Sequence, residues 1–524
     1  MRHISKACGK KLIFPLLLIL ILFAWTQSVE ARLMNKKLSG EMIDAGDVTY
    51  YTISPDGRYV VFVADAHDDE VFEIFSVPTI GGPRVTLFTA PAADLTVIPK
   101  ITPDSSHVVF IVGGSARIYN FYAVPIASGP IVELFEGGRI SHSNFNISND
   151  SKNVFFREDR STPVYHEIIW RLPINGSPPV RISPETCETC RYDFIISPDN
   201  QNIVYTEDSD TPPISLFSVD LDGNNRQMYA EWVVNFDITP NGNEVIFTKQ
   251  LPTSPKINLY AVPISGGVPI QLNGDLVEGG QVMWPFKITP DSQHVLYRAD
   301  ESVDDQYLLY GADIDGSDHW PLIDVAIPVP ATMDVITFDI TPNSQGVIFK
   351  ANPFVEGRFD LFSVPILGGS PYHLNYELTD YEYIMSERVT PNSLGLVYLA
   401  HIEPGLTELF AVSIFGTDHV KLNPTLPSGG SVANFLISPN SQGVVYIADQ
   451  EMAHVDNLYA VPTWGGVSPV QLNPPLVSFG NVSRFSITTD SKGVVYLADQ
   501  EVDGQWELFL TFDFQLVYLP LIVH

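Results

Sequence analysis

Lysine and arginine are scarce in this chain: 29 against 61 aspartates and glutamates, a formal net charge of −32 over 524 residues. Nucleic-acid binding needs a cationic surface to displace condensed counterions, so that class of partner is excluded. A polybasic membrane footprint is excluded with it. Cysteine is almost absent, at three residues. There is no G-x-S-x-G nucleophile elbow, H-E-x-x-H zinc helix, phosphate-binding loop or G-x-G-x-x-G turn, so the common signatures of hydrolases, metalloproteases and nucleotide enzymes are missing. Long apolar runs are missing too, apart from one near the N-terminus. Beyond it no segment keeps a 3.6-residue apolar period, which argues against helices.

That one run belongs to an address. Arg2, Lys6, Lys10 and Lys11 precede an apolar stretch from Leu12 to Trp25, and Val29-Glu30-Ala31 puts small residues at −3 and −1 of a cut after Ala31. This is the pattern of a secretory signal peptide over residues 1–31. The competing reading is an uncleaved anchor, for which the run is short, since a span needs about 20 apolar residues. Cleavage would remove four basic residues and Glu30, leaving a net charge of −35. The expected product is secreted, extracellular or periplasmic, with no membrane span. In an oxidising compartment Cys187 and Cys190, as C-E-T-C, read as a local disulfide closing a loop.

What the chain has in abundance is repetition. The marker aliphatic-x-[ST]-P-[DN] recurs with its Pro at 55, 103, 198, 240, 290, 342, 391 and 439, and degenerate copies place Asn149 and Thr489 at the same position. The ten copies are 48, 46, 49, 42, 50, 52, 49, 48 and 50 residues apart. Two residues before the Pro position every copy has Ile or Val, and seven after it every copy is aromatic, from Phe62 to Tyr496. Each unit reads as four short strands. In the sixth, Phe286-Lys287-Ile288 leads into the Pro290-Asp291-Ser292 turn and Val295-Leu296-Tyr297 follows it. Gly-Gly turns such as Gly266-Gly267 then join a third strand to a fourth. Four strands per unit, repeated radially, make a β-propeller blade, and the aromatic columns are its inter-blade core.

The pattern I-S-P-D-G-x-x-V-V-F at Ile53–Phe62, with L-Y-x-V-x-x-x-G-G-x-x-x-x-L at Leu259–Leu272, resembles the TolB-type, WD40-like (PD40) propeller repeat. The resemblance spans residues 32–512. It implies an all-β propeller and is silent on function, because relatives include TolB and the propeller domains of prolyl-oligopeptidase-type and tricorn-type peptidases. TolB has an additional N-terminal α/β domain, for which Arg32 to Tyr51 leaves no room, and fewer than ten blades.

Ten copies predict ten four-stranded blades in one ring, with two five-bladed rings or an open array as alternatives. The last copy ends after its third strand, Glu507-Leu508-Phe509, so residues 32–38 are expected to complete it. The competing closing strand is Phe514 to Leu521, within the tail 513–524.

The remaining repeated polar feature lies ten residues past the marker, where Asp65, Asp159, Asp208, Asp300, Asp449 and Asp499 occur. They are expected in loops on one face, as a partial acidic ring. Asp65, Asp68, Asp69 and Glu70, and Asp300, Glu301, Asp304 and Asp305, are candidate Ca²⁺ ligands, although neither group follows the EF-hand spacing. The competing reading is loop capping. His67, His142, His166 and His454 repeat at no fixed blade position. The functional expectation is an exported, non-enzymatic scaffold that binds a protein, peptide or glycan through this acidic face. The alternative is a polysaccharide- or peptide-acting enzyme in the central channel.

Overall fold

The computed structural model describes residues 35–512, apart from 94, 115–116, 161–165, 186–188, 210–211, 324–332, 353–357 and 380–381, with backbone alone at 141–144. All regular structure among the described residues is antiparallel β-sheet, and no helix there is long and apolar enough to cross a membrane. The sixth repeat forms four strands, Val282–Ile288, His294–Ala299, Leu308–Asp313 and His319–Pro321, paired in sequence order. The other repeats follow the same plan. Blades 2 and 3 are joined into one seven-stranded sheet by the 16-residue strand Val132–Ile147, which is the last of one blade and the first of the next.

The marker residues explain the first turn. In blade 1 the Ser54 hydroxyl donates to Asp56 Oδ1 at 2.6 Å, and the same carboxylate oxygen accepts the Arg58 N–H at 3.0 Å. Thr102 and Asp104 repeat this at 2.7 Å. Burial alone would raise the Asp104 pKa, but hydrogen bonds from Thr102 and Ser106 outweigh it and hold the carboxyl at about 2. The aromatic seven residues past the marker stacks on a third-strand ring, as in Phe62 on Phe75 at 5.0 Å and Tyr297 on Tyr310 at 5.8 Å. Such a pair is worth about 0.5–1.5 kcal/mol beyond the area it buries.

One sheet leaves both faces bare, and each blade covers its neighbour. Buried clusters link blades 1 and 2 through Ile74 and Phe110, 2 and 3 through Phe121 and Phe156, and 3 and 4 through Phe155 and Tyr205. They continue from 4 to 5 at Leu216 and Phe247, and from 5 through 6 to 7 at Leu259, Tyr297 and Phe349. Blades 7 and 8 meet at Leu361 and Tyr398, 8 and 9 at Leu409 and Tyr446, and 9 and 10 at Leu458 and Tyr496. The last cluster returns to the start, packing Leu508 of blade 10 on Phe62 and Phe75 of blade 1. The contacts therefore close one ring of ten; two rings of five would instead pack blade 5 on blade 1 and blade 10 on blade 6.

Closure in blade 10 is made by the N-terminal segment. Asn35–Lys37 pairs with the strand Glu507–Phe512, with Asn35 opposite Thr511 and Lys37 opposite Phe509. Asn35 Oδ1 accepts from the buried Tyr496 hydroxyl at 3.0 Å, and Lys37 is ion-paired with Glu501 at 3.0 Å and with Glu507. The competing strand, Phe514 to Leu521, lies outside the described residues, as do residues 1–34.

Candidate loop-face binding site

Antiparallel order puts the marker turns and Gly-Gly turns on one face of the ring. The loops after each second strand, and the connections between blades, lie on the other. The six repeated aspartates do not form an exposed ring on that loop face. Asp159 lies inside the strand Asn153–Arg160 opposite Glu167, and Asp208 ends the strand Asn202–Asp208 opposite Arg191. The other four are buried caps. Asp300, only 1 % exposed, accepts the Gln281 N–H at 2.5 Å. Asp65 accepts from Asp47 N–H at 2.6 Å and Asp499 from Asn481 N–H at 2.5 Å, while Asp449 accepts from the N–H groups of Ser431 and of His454. A carboxylate reaching back to the incoming connection satisfies donors that the turn leaves unpaired.

This splits both candidate calcium groups. Asp65 is turned inward, with Asp68, Asp69 and Glu70 exposed beside it. In the second group Asp300 is buried and Glu301 accepts from the Tyr297 hydroxyl at 2.9 Å and from Gly274 N–H at 3.1 Å, leaving Asp304 and Asp305 in solvent. Burial raises the Glu301 pKa. Among the described residues no three His, Cys, Asp or Glu side chains converge as metal ligands. Cys190 is buried and disulfide-bonded; Cys187 lies outside the described residues. His67 Nδ1 is 2.5 Å from Glu73 Oε2, and the side chain of His142 is not among those described.

The connections capped by these aspartates share a tight turn. Its third residue has positive φ, at Ala45 (70°), Gly279 (84°), Gly429 (83°) and Phe479 (70°), and its fourth is Gly. The fourth position has no room for a side chain: a Cβ on Gly480 would lie 2.7 Å from the Asp499 carbonyl oxygen. The third position favours Gly on backbone grounds. Ala45 and Phe479 both break that rule; Phe479 is the bulky one, and it is 80 % exposed. A bulky side chain held in the left-handed region marks a segment whose surroundings over-determine it, and such segments cluster at functional sites.

Phe479 sits in a knitted stretch of loop face. Asn481 Oδ1 accepts Asp456 N–H from blade 9 at 2.9 Å, and its amide donates to the Phe479 carbonyl at 2.8 Å. Val477 N–H reaches the Gln500 carbonyl of blade 10 at 3.2 Å, and Trp506 N–H donates to Asp47 beside blade 1 at 2.6 Å. Two more apolar side chains stand out from the adjoining loops: Met452, 65 % exposed, and Val502, 53 %. Segments 39–47, 65–72, 449–456, 474–481 and 499–506, which make this sector, hold thirteen Asp and Glu and no Lys or Arg. The crowding registers on the partly buried acids. Burial, then the neighbouring Asp65 and Asp499, raise the Asp47 pKa, and burial, then Asp449, raise that of Asp456.

The inner wall carries a second exposed row. Val234, Trp284, Ile336 and Met385 stand six residues before the marker position in the first strands of blades 5 to 8. Arg298 braces it by donating to the Val335 and Ile336 carbonyls at 3.0 and 2.7 Å.

No protein-family model and no curated protein matches the chain. Among solved structures it is similar to a eukaryotic initiation factor, at 12% identity over 73% of this chain and 90% of that one, TM-score 0.47. It is similar to TolB from Acinetobacter baumannii at 14% identity over 57% and 67%, TM-score 0.27. It is similar to an oligogalacturonate lyase in complex with manganese at 13% identity over 86% and 98%, TM-score 0.35. The ten four-stranded blades themselves define the chain as a β-propeller.

Proposed function

We propose that this chain is an exported, non-enzymatic β-propeller scaffold that binds a protein, peptide or glycan partner through the loop face of blades 9, 10 and 1. The observation that carries the reading is Phe479: an exposed aromatic in a left-handed turn position where sister connections use Gly279, Gly429 and Ala45. Export rests on the signal-like residues 1–31. The test uses mature protein as bait in extract from the host envelope, beside a Phe479→Gly variant. A partner retained by the wild type and lost by the variant supports the reading; equal recovery on both overturns it.

A second reading, a glycan- or peptide-acting site on the inner wall, is favoured by the exposed row that includes Trp284 and Met385. A panel of polysaccharide and peptide substrates separates the two: turnover that Trp284→Ala abolishes and Phe479→Gly leaves intact places the work in the channel.

A further inference from the structure

We infer that the partner segment this face accepts is a basic peptide carrying apolar residues, which seats on Phe479, Met452 and Val502. The inference rests on the binding reading above and narrows it to one chemistry.

The apolar side chains come first. Each stands in a different connection or loop, yet the three segments are tied to one another. Asn481 takes the N–H of Asp456, four residues after Met452, and gives its own N–H to Asp499, three residues before Val502. The patch is thus a braced surface that needs little ordering on binding, which lowers the entropic cost of association. Its apolar area is the part that a partner desolvates.

Charge then decides which apolar segment fits. Glu451 flanks Met452, and Glu501 and Asp503 flank Val502, all exposed. Lys37, half-buried, already pairs with Glu501, so the local field is reduced but not cancelled. An acidic peptide meets like charge across a Debye length of about 8 Å, whereas a basic one is steered in and can neutralise the rim. A neutral glycan would leave the rim uncompensated.

Phe479 also separates a binding role from a structural one. Glycine at 479 relieves the positive-φ strain, so a purely structural account gives Phe479→Gly no cost anywhere. The binding account predicts a variant that melts no lower than wild type and binds worse.

The experiment measures fluorescence anisotropy of three labelled 12-residue peptides, alternating Leu–Lys, alternating Leu–Glu and all-Lys, with full mature protein at 0.15 M and 0.5 M salt. Expected are binding of the Leu–Lys peptide, weaker binding of all-Lys and none of Leu–Glu. At least fivefold loss with Phe479→Gly and a further loss with Glu501→Gln/Asp503→Asn are also expected. Unchanged affinity in Phe479→Gly overturns the inference, because the peptide is then held by diffuse charge. All-Lys binding as tightly as Leu–Lys, or Leu–Glu binding comparably, overturns it too. If Phe479→Gly loses the natural partner while no Leu–Lys binding occurs, the chemistry inferred here fails and the scaffold reading stands. If the variant changes neither, both fail.

Discussion

The backbone N–H of Asp291, in the marker turn of blade 6, donates to Ser344 Oγ in the marker turn of blade 7 across 3.1 Å. Ser344 has a φ of 59°, and the same residue two past the marker is left-handed in all ten blades. Seven boundaries carry this serine link, from Asp56 to Ser105 at 3.0 Å round to Asn440 to Ser491 at 3.1 Å. Between blades 3 and 4 it changes form. Asn149 replaces the marker proline and so has an N–H of its own, and the longer Asn200 side chain accepts it at 2.8 Å. Glycine stands at the two remaining positions, Gly57 and Gly242.

A single link contributes about 0.5–1.5 kcal/mol, and a left-handed non-glycine residue costs roughly 1–2 kcal/mol. Ser344→Ala loses the bond and keeps the strain, whereas Ser344→Gly loses both. Urea unfolding is therefore expected to place the alanine variant below wild type by about 1 kcal/mol and the glycine variant above the alanine one. An alanine variant as stable as wild type would contradict the link, and a glycine variant less stable than the alanine one would contradict the strain.

Gly57 is glycine for a local reason. A Cβ there would meet Thr489 Oγ1 at 2.4 Å, and Thr489 stands where eight other repeats have proline. Gly57→Ser is expected to destabilise by about 1–3 kcal/mol through overpacking. Adding Thr489→Pro removes the clashing hydroxyl and recovers the overpacking part of that loss, leaving the left-handed strain at position 57, which a double-mutant cycle in urea reads directly.

Asp300 is a cap. Asp300→Ala leaves the Gln281 N–H without its acceptor in a buried position, at an expected cost of about 1–3 kcal/mol. Millimolar Ca²⁺ and EDTA are expected to give the same melting temperature in wild type. A calcium-dependent rise that Asp300→Ala abolishes would instead make it a metal ligand.

The pH profile has two limbs. Asp47, Asp456 and Glu301 have raised folded pKa values, so they oppose folding while ionised, and that opposition is relieved as pH falls through those values. Asp104 is depressed to about 2, so its contribution is present above the unfolded value of 3.8 and is lost as pH falls from there towards 2. Melting temperature is expected to rise as pH is lowered from 7.5 towards the raised carboxyl values and to drop again as pH falls from 3.8 towards 2. A monotonic fall from pH 7.5 downward would contradict the first limb.

Much of this was legible in the residues. The marker, the aromatic columns and the even spacing fix four strands per blade because each is a local rule, and the short run 32–38 matches the pattern of the missing fourth strand that Asn35–Lys37 fills. The serine column is visible as Pro-Asp-Ser but reads only as turn chemistry, since nothing in one repeat shows that its hydroxyl faces the preceding repeat's donor. The repeated aspartates lie elsewhere than the sequence suggests for a related reason. Residue type shows a carboxylate, but whether it points to solvent or back to an incoming N–H depends on the path of the connection. Phe479 is not legible from sequence, because only that path aligns Val477-Ser478-Phe479-Gly480 with Val277-Glu278-Gly279-Gly280.

Hydrogen exchange of the protein over residues 32–524, with and without the Leu–Lys peptide, reads where a partner touches the ring. The predicted result is slowed exchange in segments 449–456, 474–481 and 499–506, with the first strands of blades 5 to 8 unchanged. Protection confined to those inner strands, around Trp284 and Ile336, would contradict it.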